Sequence, residues 1–451
     1  MFLKFAFRWL CMFSLILLLL PACRSSKGSV QRVSGKKSLE QSFEHSATFN
    51  GLTGFLLMDQ TTTKVIYEKN ADTYFTPASN TKVLTLFTAM KILRGDVPNL
   101  RYLKTEEGEM YIQGTGHPAL LNPAFPTDSN TALSFLQKQK QVITFCDCNF
   151  QDKKYGSGWS WDDFHYYFQS EKSSLPIYGN NVSFLKTSKK ESIRTIPSYF
   201  EKNITIETDT TIKRTAVSRN WDNNYFTIFK PSNNYPTSEI RPFRTNKETI
   251  AQLLSDTLHQ EIKTCNNTCT NQDYLNINSA VPANDLYKEL MQPSDNFVAE
   301  QLLLICSNQL FDTLNVSRTI KWAQDSLFQF LPEQPRWVDG SGLSRYNMIT
   351  PRNMVTTLNE LYKEYPEQEL FDLFPTGGES GTIKSWYGGL GKPYVFAKTG
   401  TLRHIHCLSG YLVTKSGRRL VFSFMHNNYM GDMRALKREM EKILQLVYVA
   451  F

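Results

Sequence analysis

The chain of 451 residues is 41% hydrophobic, 20% charged and 13% aromatic. That composition supports a sizeable core, excludes a wholly disordered or collagen-like chain, and sets a prior of roughly three domains. A net charge of +8 is thin for this length and gives no ground for a nucleic-acid partner.

At the N-terminus Met1 to Arg8 carries Lys4 and Arg8 with no acid, and Trp9 to Leu20 is apolar. The run has the length of a secretory signal and is too short to span a bilayer comfortably. It ends at Leu20-Pro21-Ala22-Cys23, which resembles a bacterial lipobox, where the cysteine is lipidated and becomes the new N-terminus. The expectation is a signal peptide over 1–22 and a lipid anchor on Cys23. Arg24, Lys27, Arg32, Lys36 and Lys37 follow without an acid up to residue 37. Residues 23–45 therefore read as a basic, flexible tether near an anionic membrane surface.

Gly54 to Asp59 and Lys64 to Glu68 read as two strands joined by a turn over Gln60 to Thr63. Thr76-Pro77-Ala78-Ser79 then opens a helical spacing through Val83, Leu84, Leu86, Phe87, Met90 and Leu93, closed by Gly95. Pro at the start and Gly at the stop bound a core helix whose first turn carries Ser79. From about Tyr102 to Ser279 the texture is short strands and Asn/Thr-rich loops. Trp159, Trp161, Phe164, Tyr166, Tyr167 and Phe168 cluster there around Asp162 and Asp163.

Helical spacing returns from Ala283 through Leu286, Leu290, Phe297, Leu302, Leu303 and Ile305. Three strands follow, over Tyr394 to Thr399, Cys407 to Thr414 and Leu420 to His426. An amphipathic helix through Met433, Leu436, Met440, Ile443, Leu444 and Val447 ends the chain. The pattern predicts an α/β (α+β) fold with an antiparallel sheet flanked by helices. Residues 46–103 and 280–451 form one split domain, and 104–279 is a largely β insertion of one or two subdomains.

Cys265-Asn-Asn-Thr-Cys269 lies in a polar, loop-like stretch suited to a small bridge. His404 and His406 beside Cys407 would be the sharper alternative use of cysteine, a zinc site. A His-X-His on a strand next to an apolar run reads more simply as ordinary surface and core, so no metal or other cofactor is expected.

Ser79-Asn80-Thr81-Lys82 places a hydroxyl and an amine three residues apart, on one helical face, so that the amine can take the hydroxyl proton. The helix N-terminus adds a positive field that favours a neutral lysine and an oxyanion. Ser-x-x-Lys also occurs at Ser34 and Ser183, but only the copy at Ser79 opens an apolar helix. Ser294-Asp295-Asn296 lies between two helical stretches, where it could relay protons or simply cap a helix. Lys398-Thr399-Gly400 sits on a strand, with a fixed charge for a carboxylate and a glycine that lets another backbone lie close.

Ser-x-x-Lys, Ser-x-Asn and Lys-Thr-Gly in this order are the signature shared by penicillin-binding proteins and serine β-lactamases. The gap from Ser79 to Ser294 is about double that from Ser294 to Lys398, which narrows the choice. With this insertion the chain resembles the class C low-molecular-mass penicillin-binding proteins, the D-alanyl-D-alanine carboxypeptidase/endopeptidase family. Asp339-Gly340-Ser341-Gly342-Leu343-Ser344-Arg345, Gly378-Glu379-Ser380-Gly381-Thr382-Ile383 and Trp159-Ser-Trp-Asp-Asp163 are similar to further segments of that family. Its Gly-x-Gly-Asp-Pro pattern reads Gly114-Thr115-Gly116-His117-Pro118 here, with His117 replacing the acid.

The resemblance implies a transpeptidase-like catalytic domain in which Ser79 attacks the carbonyl between two D-alanines of peptidoglycan peptides. Lys82 would be the base, Ser294 and Asn296 the proton relay and positioning groups, and Lys398 and Thr399 the carboxylate site. Gly400 would admit the substrate backbone, and the N–H groups of Ser79 and Thr401 would form the oxyanion hole. Asp163, Phe168, Arg345 and Arg403 fall where the family surrounds the substrate side chain. β-Lactam antibiotics would acylate Ser79, and the location would be periplasmic, as a membrane-anchored lipoprotein. The other readings are a serine β-lactamase or esterase of the same fold and a catalytically inactive wall-binding lipoprotein. No Glu-x-x-Leu-Asn segment of the class A β-lactamase type follows the second motif.

Overall fold

The computed structural model describes residues 27–46, 48–126, 130–188, 192–231, 236–265 and 273–451. The expected signal peptide, Cys23 and Cys269 lie outside them. Where a flexible tether was expected over 23–45, the chain forms a helix, α1 (Lys27–His45). Leu39 and Phe43, four residues apart and so on one face, are buried. The Phe43 ring stacks on Tyr67 at 5.6 Å and meets Phe424 at 5.5 Å. Burying two such side chains contributes about 1.5–3 kcal/mol each, which offsets part of the ordering cost that a solvated tether avoids.

Strands β1 (Leu52–Asp59) and β2 (Val65–Lys69) form the first hairpin. A 3₁₀ turn over Ala78–Thr81 then runs into α2 (Lys82–Ile92), which is buried from Lys82 to Ala89.

The next stretch supplies β3 (Pro98–Lys104), β4 (Met110–Gly114), α3 (Thr131–Gln137) and β5 (Ile143–Cys146). After it come β6 (Asn181–Lys186), β7 (Arg194–Ile196), β8 (Ile204–Thr208), β9 (Ala216–Arg219), β10 (Phe226–Lys230) and β11 (Thr237–Pro242). The stretch closes with α4 (Lys247–Leu258), β12 (Ile262–Thr264) and β13 (Leu275–Asn278). One sheet has the order β12-β5-β4-β3-β13, and two three-stranded sheets have the orders β11-β6-β7 and β8-β10-β9. The first and last strands pair, Leu275 opposite Tyr102, so this sheet begins at Pro98, ahead of the expected boundary at 104. Ile112, Phe145, Phe184, Phe200, Phe226 and Leu253 share one hydrophobic core, separate from the cores that flank the other sheet.

Cys265 is bonded to Cys146, with Cα atoms 5.3 Å apart, and not to Cys269 as the loop composition suggested. Pairing decides this: Thr264 lies opposite Phe145 in the parallel β12–β5 ladder. The next residue on each strand is a cysteine, and the two are neighbours.

The remainder forms α5 (Ala283–Met291), α6 (Asn296–Phe311), α7 (Val316–Ser326), α8 (Pro351–Glu364) and α9 (Glu367–Leu373). Then come β14 (Val395–Leu402), β15 (Ile405–Val413), β16 (Arg419–Asn427) and α10 (Met433–Ala450). The main sheet is antiparallel with the order β14-β15-β16-β1-β2. Its strands are apolar on both faces because helices cover both, and the two-residue period sorts the side chains. Leu56, Met58, Tyr411, Val421 and Met425 join the helices that include α2, α6 and α8. Phe55, Leu57, Leu412, Phe422 and Phe424 face α10 and α1. No helix among the described residues is long and apolar enough to cross a membrane.

Candidate active site

The three motifs meet at one end of the main sheet. Ser79 sits on the 3₁₀ turn before α2, half-buried between buried Ala78 and Asn80. The turn is forced: Ala78 holds φ +48°, and Ser294, between α5 and α6, holds φ +68°. Non-glycine residues rarely adopt this region, and such strain collects at functional sites. Asp295 caps α6 by accepting from the Val298 N–H at 2.8 Å, so the capping reading of Ser-Asp-Asn holds for Asp295 and leaves its neighbours for chemistry. Lys398 lies on β14, the edge strand.

Lys82 is buried, and its Nζ lies 3.0 Å from Ser79 Oγ, 2.6 Å from Asn296 Oδ1 and 2.7 Å from the Ser341 carbonyl. Burial lowers its pKa from 10.5 to about 8, against the opposing pull of Asp295, Asp339 and Glu300. In the neutral amine two N–H groups serve Asn296 and Ser341, and the lone pair is left for the Ser79 hydroxyl. Lys398 Nζ donates to Ser294 Oγ at 2.7 Å and to the Thr399 carbonyl at 2.9 Å. Burial, and secondarily the Lys82 charge, hold it well below the ordinary lysine range.

Backbone geometry completes the site. Ala397 N–H donates to the Pro375 carbonyl and Gly377 N–H to the Val395 carbonyl, so the odd-numbered residues of β14 point their backbone groups away from β15. By the two-residue alternation Thr399 and Thr401 present theirs on the same edge. A Cβ on Gly400 would stand 2.4 Å from the Pro77 carbonyl and 3.0 Å from Ser79 N; only glycine lets β14 lie against the nucleophile turn. Ser79, Ser294, Thr382, Thr399, Thr401 and Lys437 line a cavity of about 270 Å³. A larger hollow of about 1210 Å³ lies between Lys36, Asp59, Arg418 and Phe451, but it contains none of the three motifs.

Several groups at the site are not legible as motif residues. Asn80 donates to the Lys398 carbonyl at 2.8 Å and accepts from Ser409 Oγ at 2.7 Å. The Ser341 carbonyl is held by a buried network: Glu300 accepts from Ser341 N–H at 2.8 Å. Asp339 accepts from Gly342 N–H, Ser344 N–H, Asn347 Nδ2 and Trp159 Nε1 at 2.6–2.9 Å. Thr382 Oγ1 accepts from Thr399 Oγ1 at 2.7 Å. The Asp339 segment, Thr382 and Trp159 carried a signal through resemblance to family segments, whereas Asn80 and Glu300 carried none.

Phe168 reaches the site through its main chain, its carbonyl accepting from Asn296 Nδ2 at 3.0 Å. Asp163 lies in the 3₁₀ turn Trp161–His165 with its carboxyl pushed up, chiefly by burial and then by Asp162, while His165 and Arg345 pull it down. Arg345 is exposed beside this segment, its N–H 3.4 Å from the Gly158 carbonyl. Arg403 is exposed at the end of β14, and neither arginine lines the cavity. The residues weighed for zinc diverge: His406 Nδ1 pairs with Thr401 Oγ1 at 2.8 Å, His404 Nδ1 with the Tyr429 carbonyl at 3.0 Å. Cys407 Sγ faces the Thr76 carbonyl at 3.7 Å.

Known proteins are similar to this chain. The D-alanyl-D-alanine carboxypeptidase DacB of Haemophilus influenzae is 32% identical over 164 residues, 34% of each chain. The D-alanyl-D-alanine carboxypeptidase of Actinomadura sp. is 20% identical over 438 residues, 88% of this chain and 81% of that one. The match to the first of these curated relatives thus spans about a third of its length. The fold is that of penicillin binding protein 4 from Haemophilus influenzae, with a TM-score of 0.72 at 21% identity over 92% of this chain and 99% of that one. The model of the D-Ala-D-Ala carboxypeptidase 3 (S13) family matches residues 36–447, spanning all three motifs and the segment between them, and the chain belongs to that family.

Proposed function

We propose that the protein is a serine D-alanyl-D-alanine carboxypeptidase, with endopeptidase action on D,D-crosslinks, that works on peptidoglycan stem peptides and is acylated by β-lactams. The observation that carries this is the set of contacts made by Lys82, which joins Ser79, Asn296 and the Ser341 carbonyl at one amine. Neutral Lys82 takes the Ser79 proton as Oγ attacks the carbonyl between two D-alanines. The N–H groups of Ser79 and Thr401 receive the oxyanion. Ser294, held by Lys398, relays the proton to the leaving amine, and water then releases the acyl group from Ser79.

The substrate backbone lies along the open edge of β14, with Asp163, Phe168, Arg345 and Arg403 toward its side chain. An aspartate there suits the free amine of a diaminopimelate-type residue. In this reading 46–97 and 280–451 are the catalytic portion and 98–279 the insertion. Removal of a signal peptide over 1–22 would leave lipidated Cys23 to hold the enzyme at the membrane of a bacterial envelope, facing the periplasm.

Intact-mass measurement after incubation with penicillin tests the reading, beside Ser79→Ala. The expected result is a stable adduct on the native protein, none on the variant, and release of D-alanine from a pentapeptide by the native protein alone. A folded native protein that neither gains mass nor hydrolyses penicillin would overturn it.

A further inference from the structure

Among the described residues one charged side chain lines the cavity at Ser79, that of Lys437, the fifth residue of α10, which belongs to none of the three motifs. Its neighbours there are the hydroxyls of Ser79, Ser294, Thr382, Thr399 and Thr401, with no acid in the lining. The lysine of the third motif is not available in the same way. Lys398 Nζ is buried, turned onto Ser294 Oγ and the Thr399 carbonyl, and does not line the cavity.

Lys437 is also held in place. Asp432 caps α10 by accepting from the N–H groups of Arg434 and Ala435. The Lys437 ammonium stands 5.5 Å from the centre of the Trp386 ring. Trp386 follows Thr382 on the same loop, its N–H bonded to the Ile383 carbonyl. Among the described residues no carboxylate lies within ion-pair distance of Lys437, although neighbouring Arg438 pairs with Asp432. A partly desolvated cation with no acid of its own, ringed by hydroxyl donors, is complementary to an anion the size of a carboxylate.

Resting on the carboxypeptidase reading above, we propose that Lys437 is the specificity-determining cation that pairs with the free C-terminal carboxylate of the substrate. The Thr399 and Thr401 hydroxyls flank the same carboxylate, while Lys398 serves Ser294. The site thereby distinguishes a terminal carboxylate from an uncharged end.

The test compares an acylated peptide ending in D-Ala-D-Ala with the same peptide as its C-terminal amide, using native enzyme, Lys437→Gln and Lys437→Arg, each checked for an unchanged melting temperature. Native enzyme should prefer the carboxylate. Lys437→Gln should lose about 10- to 100-fold in kcat/KM on the carboxylate, mostly through KM, and change on the amide by less than about twofold. Lys437→Arg should recover most of that loss. A Lys437→Gln enzyme that keeps the native preference for the carboxylate overturns this assignment alone. A native protein that processes neither peptide and takes no penicillin overturns it together with the reading on which it rests.

Discussion

Asn80 Nδ2 donates to the main-chain carbonyl of Lys398 at 2.8 Å, and Asn80 Oδ1 accepts from Ser409 Oγ at 2.7 Å. One buried amide thereby joins the turn that carries the nucleophile to the edge strand and to its neighbour. Asn80→Ala removes both bonds in a dry setting and leaves Ser409 Oγ with Ser423 Oγ alone, at 2.9 Å, so stability should fall by about 1–3 kcal/mol in denaturant unfolding. Penicillin acylation of the folded variant should slow by about tenfold or more, because Ser79 and β14 lose their common reference.

The depressed pKa of Lys82 gives a direction for the pH profile. In the proposed mechanism the reactive form is the neutral amine, so the acylation rate should rise with pH through about 8 and level off above it. A lysine at its ordinary 10.5 would still be gaining rate there. The same group makes the folded chain bind fewer protons than the unfolded chain between about 8 and 10.5. Its contribution to stability therefore increases with pH across that window. Stopped-flow acylation and denaturant midpoints between pH 6 and 10 read both effects.

Gly400→Ala should separate packing from chemistry. Its Cβ would meet the Pro77 carbonyl at 2.4 Å and Asn80 N at 2.9 Å, backbone atoms that cannot rotate aside. Overpacking of this kind costs about 1–3 kcal/mol of stability. Since the displaced atoms belong to the nucleophile turn, penicillin acylation should drop by about 100-fold or more, measured by adduct formation over time.

The Cys146–Cys265 bond closes a loop with a sequence separation of 119 residues. On the chain-entropy model its removal costs about 3–5 kcal/mol. Cys146→Ala with Cys265→Ala should therefore lower the unfolding midpoint of the sheet that contains β5 and β12. Penicillin acylation should persist under native conditions, because the three motifs stand on a different hydrophobic core.

Ser79, Lys82, Ser294, Asn296 and Lys398 were legible because their chemistry resides in side chains of fixed type at fixed spacing, next to elements with clear periodicity. The hairpin, core helix and terminal strands were legible for the same reason of period. What escaped was mostly backbone: the carbonyls of Ser341 and Phe168 act at the site, and any residue type there supplies a carbonyl. Lys437 escaped because on an amphipathic helix it follows buried Leu436 and looks like one more solvated lysine. Helix α1 escaped because its apolar face is sparse, and only packing against the sheet, Phe55, Tyr67 and Phe424 included, gives Leu39 and Phe43 a place to be buried. The Cys265 pairing depended on which strands lie side by side, which loop composition does not encode.

The contact between Asn296 Nδ2 and the Phe168 carbonyl means that the base is geared to the inserted part of the chain. Asn296 holds Lys82 with its oxygen and the aromatic segment with its nitrogen, so two hydrogen bonds in series connect them. A displacement of residues 167–169 cannot stay local: it tilts the amide and shifts the lone pair that Ser79 needs. In the proposed mechanism, a peptide resting against that wall would be felt at Lys82 before any bond is broken.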